Sequence, residues 1–122
     1  EIKIWGYMML NIKLIIKVID GSAISVITED DKIPSYKLSN LYPNIDDTIE
    51  KIAQRYGIHH SYVQPKLITL SVENNEVYAY YTILTPKEFI NEEDRVFLCN
   101  NFSKLSEQDR VAIRQAISIF PS

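Results

Sequence analysis

The residues able to do chemistry concentrate between Ile33 and Ile58, in the stretch IPSYKLSNLYPNIDDTIEKIAQRYGI. Asp46 and Glu50 are one helical turn apart, so on a helix they share a flank and can hold a cation between hard oxygens. With Asp47 they can instead simply complement the positive end of a helix dipole. Lys51 and Arg55 have the same spacing. They can hold a phosphate, or pair with acids on an exposed helix face. Lys37 is a third cation just upstream. Tyr36 and Tyr42, with Tyr78, Tyr80 and Tyr81 further on, offer rings that stack on a nucleobase or fill a sheet–helix interface.

Other reactive groups point to little. Glu29, Asp30 and Asp31 lack the glycine and the spaced ligands of a calcium loop, and read as a charged loop at a solvated hairpin edge. His59 and His60 are adjacent, so they point apart, and neither has an acid at metal-ligand spacing. Cys99 is the only cysteine and lies in an apolar segment, as a buried structural thiol would. It leaves no disulfide framework and no thiolate zinc site.

The elements that must position these groups follow from periodicity. Asn11 to Ile19 alternates, with Ile12, Leu14, Ile16 and Val18 on one face and Lys13, Ile15 and Lys17 on the other, which is a strand. Asp20-Gly21 signals a hairpin back into Ser22 to Thr28. Ser35 to Ser39 is a short strand after Pro34. From Asn44 to Tyr56 an apolar stripe of Ile45, Ile49, Ile52, Ala53 and Tyr56 marks a helix, which Gly57 stops in the left-handed region. Lys66 to Glu73 and Val77 to Leu84 are strands joined at Asn74-Asn75, and Arg95 to Cys99 is another. Ser106 to Asp109 looks like a capping box. It opens a last helix running to about Ile119, with Ala112, Ile113, Ala116, Ile117 and Phe120 turned inward. Neither helix can bury its stripe alone, so the natural packing is a mixed, largely antiparallel sheet held between two helices.

At 122 residues the length suits one domain. The expected division is an N-terminal extension or edge strand over 1–10 and one domain over 11–122. The first nine residues, EIKIWGYMM, do not fit a signal peptide. They read as an extra edge strand, or as a leader upstream of a start at Met8 or Met9. The net charge of -3 lacks the basic excess of a dedicated nucleic-acid binder. No apolar run is long enough to span a bilayer, and cysteine usage suits a reducing, cytoplasmic setting.

This order of elements resembles the Nudix hydrolase family. KLIIKVIDGSAISVI resembles its opening strands, and Tyr36-Lys37-Leu38 resembles the Trp-x-Leu that precedes its Pro-Gly-Gly. IDDTIEKIAQRYGI is similar to the Nudix-box helix, with Gly57-Ile58 as its closing Gly-apolar pair. The tail RVFLCNNFSKLSEQDRVAIRQAISIF is similar to its last strand, loop and helix. The resemblance implies a Nudix-like α/β/α sandwich from about Asn11 to Phe120. The family's chemistry needs glutamates on that helix to hold Mg²⁺ or Mn²⁺ against a pyrophosphate. Matched at Gly57-Ile58, the box's Arg-Glu falls on Glu50-Lys51 and its Glu-Glu on Gln54-Arg55. Its upstream Glu falls on Tyr42 and its leading Gly on Tyr36. Ser39-Asn40-Leu41 stand for Pro-Gly-Gly, and the loop is several residues short. The metal carboxylates are replaced, two of them by cations.

The resemblance therefore implies a module without catalysis, metal or cofactor. Its favoured role is regulatory, binding a nucleotide-derived ligand such as ADP-ribose or a nucleoside diphosphate derivative through Tyr36, Lys37, Lys51, Arg55 and Tyr80. A second role is a protein–protein or assembly subunit, with a protein partner or as a homodimer, whose cleft is filled by Tyr36, Leu41 and Tyr42. A third is a residual metal-dependent hydrolase using Asp46, Asp47 and Glu50.

Overall fold

The computed structural model describes residues 9–38, 44–59, 61, 63–90, 95–97 and 102–119. Its strands are β1 (Met9–Asp20), β2 (Ala23–Ile27), β3 (Ser35–Leu38), β4 (Lys66–Glu73), β5 (Glu76–Pro86) and β6 (Arg95–Phe97). Its helices are α1 (Ile45–Gln54), between β3 and β4, and α2 (Glu107–Ser118), after β6. Of the N-terminal extension expected over 1–10, residues 1–8 lie outside the described residues, as do the loop around Tyr42, His60, Cys99 and Phe120, while Met9 and Leu10 belong to β1.

The strands form one sheet in the order β4-β5-β1-β2-β6, with β3 also paired to β1. β1 runs parallel to β5 along its whole length, and every other pairing is antiparallel. β3 pairs with the first half of β1, Leu10 to Lys13, and β2 with its last residues, Lys17 to Asp20. The mixed, largely antiparallel sheet expected from the sequence is therefore present, with a helix on each face.

Turn chemistry sets the hairpins. Gly21 has φ 63° at the first central position between Asp20 and Ala23, where a two-residue turn calls for glycine. Asn74 and Asn75 join β4 to β5 with φ 53° and 64°, values that asparagine tolerates better than most residues. The acidic stretch at Glu29 is a tight turn rather than an open loop. Glu29 and Lys32 exchange backbone hydrogen bonds across Asp30 and Asp31, both in the left-handed region.

Both faces of β1 are sealed. Ile12, Leu14, Ile16 and Val18 pack under α1 with Ile49, Ile52, Ala53, Tyr56, Ala79 and Ile83. On the opposite face Ile15 packs with Tyr80, Ala112, Ile113 and Ala116 under α2. Each fully buried aliphatic side chain contributes about 1.5–3 kcal/mol. The helix ends follow their sequence signals. The Asn44 side chain accepts from the Asp47 N–H at 3.0 Å. Gly57 turns at φ 84°, and the Ile58 N–H returns to the Ala53 carbonyl.

Two polar groups behave differently from their sequence pattern. Ser106 caps α2, accepting from the Asp109 N–H at 3.2 Å. The Asp109 side chain does not close a capping box. It turns inward, 2% exposed, where its Oδ1 accepts from Tyr80 Oη at 2.6 Å and Lys13 Nζ at 2.9 Å. Lys13 also lies over the rings of Tyr78 and Tyr80. Lys17 is fully buried and donates to the Ala116 carbonyl at 3.0 Å, satisfying an acceptor in the last turn of α2. Burial, and then the charge of Lys66, lower the Lys17 pKa.

Asp109→Ala leaves the Tyr80 hydroxyl and the Lys13 ammonium without their buried acceptor. It should cost about 3–5 kcal/mol in urea unfolding, and a loss no larger than that of a surface substitution would show that the cluster is not structural. Lys17 makes a separate pH signature. Its folded pKa lies below its unfolded one, so the unfolded chain holds the proton more tightly. Stability should rise with pH from the folded pKa up to the unfolded value, and Lys17→Met should remove that rise.

Candidate functional site

Helix α1 carries the charged groups singled out in the sequence, and the fold splits them between its two flanks. The cationic flank faces β3. Arg55, just past the last turn, reaches across with Nη2 to donate to the Ser35 carbonyl at 3.0 Å. Its Nη1 lies 3.4 Å from Glu29 Oε1, and both side chains are solvated. Lys51 is exposed one turn earlier, and no ion pair to it is seen among the described residues. Tyr36 pairs with Ile12 in β1, so it belongs to the same face of the sheet as α1, and it is 39% exposed.

The acidic flank faces the other way. Asp46 and Glu50 line a cavity of about 200 Å³ with Val63 and Pro65. Burial, and then the charge of Asp46, raise the Tyr81 pKa, which places this flank beside β5. Among the described residues no group of three or more His, Cys, Asp or Glu is gathered as a metal would need. His59 is exposed, its Nδ1 2.8 Å from Ser61 Oγ.

Lys37 and Tyr80 stand on the opposite face. Lys37 pairs with Asn11 in the sheet, and its Nζ is 3.2 Å from Glu76 Oε1. Asn11 Nδ2 donates to the same carboxylate at 2.8 Å. Tyr80 is fully buried beneath α2. Its phenol is raised far above the usual range, first by burial and then by Asp109, which holds its proton. The five residues proposed from sequence thus divide. Tyr36, Lys51 and Arg55 share one face, while Lys37 and Tyr80 lie on the other and reach neither them nor each other's partners.

Sequence reasoning weighed Glu29 only as part of an acidic loop and missed its pairing with Arg55, and it missed the Ser35 carbonyl, Asn11 and Glu76 altogether. The turn at Asp30-Asp31 would have placed Glu29 at the head of β3. Nothing local announces Glu76, because it meets Lys37 only through the shared neighbour β1.

Strand order, mixed pairing and one helix per face together define an α/β/α sandwich. Among solved structures the chain is similar to the C-terminal domain of mouse MUTYH, which has a Nudix-like fold and was crystallised in complex with human PCNA. The TM-score is 0.67, over 93% of this chain and 90% of that one, at 12% sequence identity. At that identity the likeness is one of fold. No family model matches the chain. No curated protein sequence matches it either. No helix among the described residues is long and apolar enough to cross a membrane.

Glu76 supplies a test of the Lys37 assignment. The hydrogen bond from Asn11, and then Lys37, hold its carboxyl below the usual carboxylate range. As pH falls the unfolded chain takes up the proton first, so this stabilisation is present above the unfolded pKa and is lost through the folded one. Urea titrations in acid should show a shallower fall of stability for Lys37→Ala, and a still shallower one for Asn11→Ala. Parent-like slopes in both would remove Glu76 from the account.

Proposed function

We propose that the chain is a non-catalytic Nudix-like module that works by contact with another protein. The observation that carries this reading is the state of the box helix. Where a hydrolase needs glutamates, Gln54 and Arg55 stand, and Arg55 is committed to Ser35 and Glu29. A cation tied to the backbone of β3 cannot gather a divalent metal, and it repels one. The neighbouring fold supports the reading in a general way, because the MUTYH domain is seen bound to a protein.

A second reading keeps some support from Lys51 and Tyr36. Both are exposed on the α1 face, and Arg55 could leave its solvated ion pair for a stronger anion. On that reading the ligand is a nucleotide derivative such as ADP-ribose or a nucleoside diphosphate derivative, held by its phosphates in a regulatory role.

Thermal denaturation with ADP-ribose, NAD and nucleoside di- and triphosphates separates the two. A ligand of the native state adds about 2.7 kcal/mol of stability at a hundredfold excess over its Kd, and so raises the melting temperature. The protein-contact reading expects no shift from any of them, and no phosphate or nucleoside monophosphate released with Mg²⁺ or Mn²⁺. A shift abolished by Lys51→Ala would establish the ligand reading instead. Metal-dependent release would overturn both.

A further inference from the structure

β4 is an outer strand of the sheet, paired only with β5 among the described residues. Its two faces are unequal. On the α2 side Gln108 bonds Ser71, and Thr69, Ser71 and Glu73 line a groove against Glu107, Gln108 and Val111. On the α1 side Leu67, Leu70 and Val72 oppose Tyr81, Ala79 and Val77, but α1 does not reach over them. They stay 48%, 59% and 65% exposed, and Val111 across the strand is 43% exposed. Apart from Tyr36, these are the large apolar side chains left most exposed among the described residues. They all border one unpaired edge, a position that proteins usually protect with charge or proline.

We infer that this edge is a self-association surface, on which β4 of a second copy adds antiparallel to β4 and continues the sheet. The occupant is argued from the strand itself. After the irregularity between Leu67 and Thr69, the segment Thr69 to Glu73 is regular. A two-fold axis at Ser71 sets Leu70 against Val72 of the second copy and Val72 against its Leu70, all on the α1 face. The charges agree with this direction. β4 begins with Lys66 and ends with Glu73, both on the α2 face, as their partners Thr82 and Glu76 are. In this register Glu73 lies opposite Thr69, and Lys66 comes three residues further on, beside the Asn74-Asn75 turn; antiparallel pairing thus brings the positive end of each strand to the acidic end of the other, whereas parallel pairing would set like charges together. The inference goes beyond the protein-contact reading. A monomeric chain would sink this proposal and leave that reading standing, and hydrolysis would do the reverse.

Sedimentation equilibrium of the full chain over a concentration series tests it. The expected result is a monomer–dimer equilibrium whose dissociation constant rises by about thirtyfold or more in Leu70→Lys, as for a central interface residue. Far-ultraviolet circular dichroism of that variant should stay native, since Leu70 is exposed. Lys66→Glu alone and Glu73→Lys alone should each weaken the dimer, and the two together should restore it. A chain that stays monomeric throughout overturns the proposal, as does a dimer indifferent to Leu70→Lys. A double charge exchange weaker than either single one excludes antiparallel pairing. A monomer that instead binds a different protein through Leu70 assigns the edge to that partner and overturns self-pairing.

Discussion

Strand β1 sends Ile12, Leu14, Ile16 and Val18 to one face of the sheet and Ile15 to the other, and all five are sealed from solvent. A strand buried on both faces cannot be an edge and cannot be covered by one helix. It needs neighbours on both sides, which β5, β2 and β3 provide, and a layer above and below, which α1 and α2 provide. The polar residues of its second face are then forced inside as well. Lys13 and Lys17 are accommodated because α2 brings each an acceptor, Asp109 at one end and the Ala116 carbonyl at the other. The register of α2 on the sheet is thus fixed by two lysines as well as by its apolar stripe. An ammonium left unmatched in such a place would cost several kcal/mol.

The same scaffold explains why α1 keeps its shape whatever its outer flank carries. Ile49, Ile52, Ala53 and Tyr56 are needed to cover β1 whatever the outer flank does. Asn44 and Gly57 fix its two ends independently of any ligand. The exposed positions are free to change, and here they carry Lys51, Gln54 and Arg55. Arg55 has become part of the frame, joining the helix to the carbonyl of Ser35 and so to the start of β3.

The helices were legible in the sequence because their signals are local. The stripe from Ile45 to Tyr56, the left-handed stop at Gly57 and the Ser106 cap each act within a few residues. The strands were legible too, with ends close to those observed. Their neighbours were not. Lys13 and Asp109 are 96 residues apart in the chain, and Asn11 and Glu76 are 65 apart. Such pairs form only because the sheet order brings β1, β3, β5 and α2 together, and no periodicity encodes that order. The Asp109 side chain shows the difference within one residue. Its backbone follows the capping signal of Ser106, while its carboxylate answers to a lysine at the other end of the sequence. The candidate site divided for the same reason. Lys37 is next to Tyr36 in the chain, but alternation along β3 puts them on opposite faces, and Tyr80 belongs to the α2 side.

The parallel pairing of β1 with β5 has a consequence in time. Residues Met9 to Ile19 find their partners only at Glu76 to Pro86. During synthesis β1 can fold back on β2 at once, through a tight turn, but one flank of it stays open until β5 has emerged. Helix α2, which closes the second face over Ile15, comes later still. Closing such long loops before any contact rewards them slows folding. The most apolar of the described strands is therefore made before the partners that enclose it, and for that interval it is the segment a chaperone would need to shield.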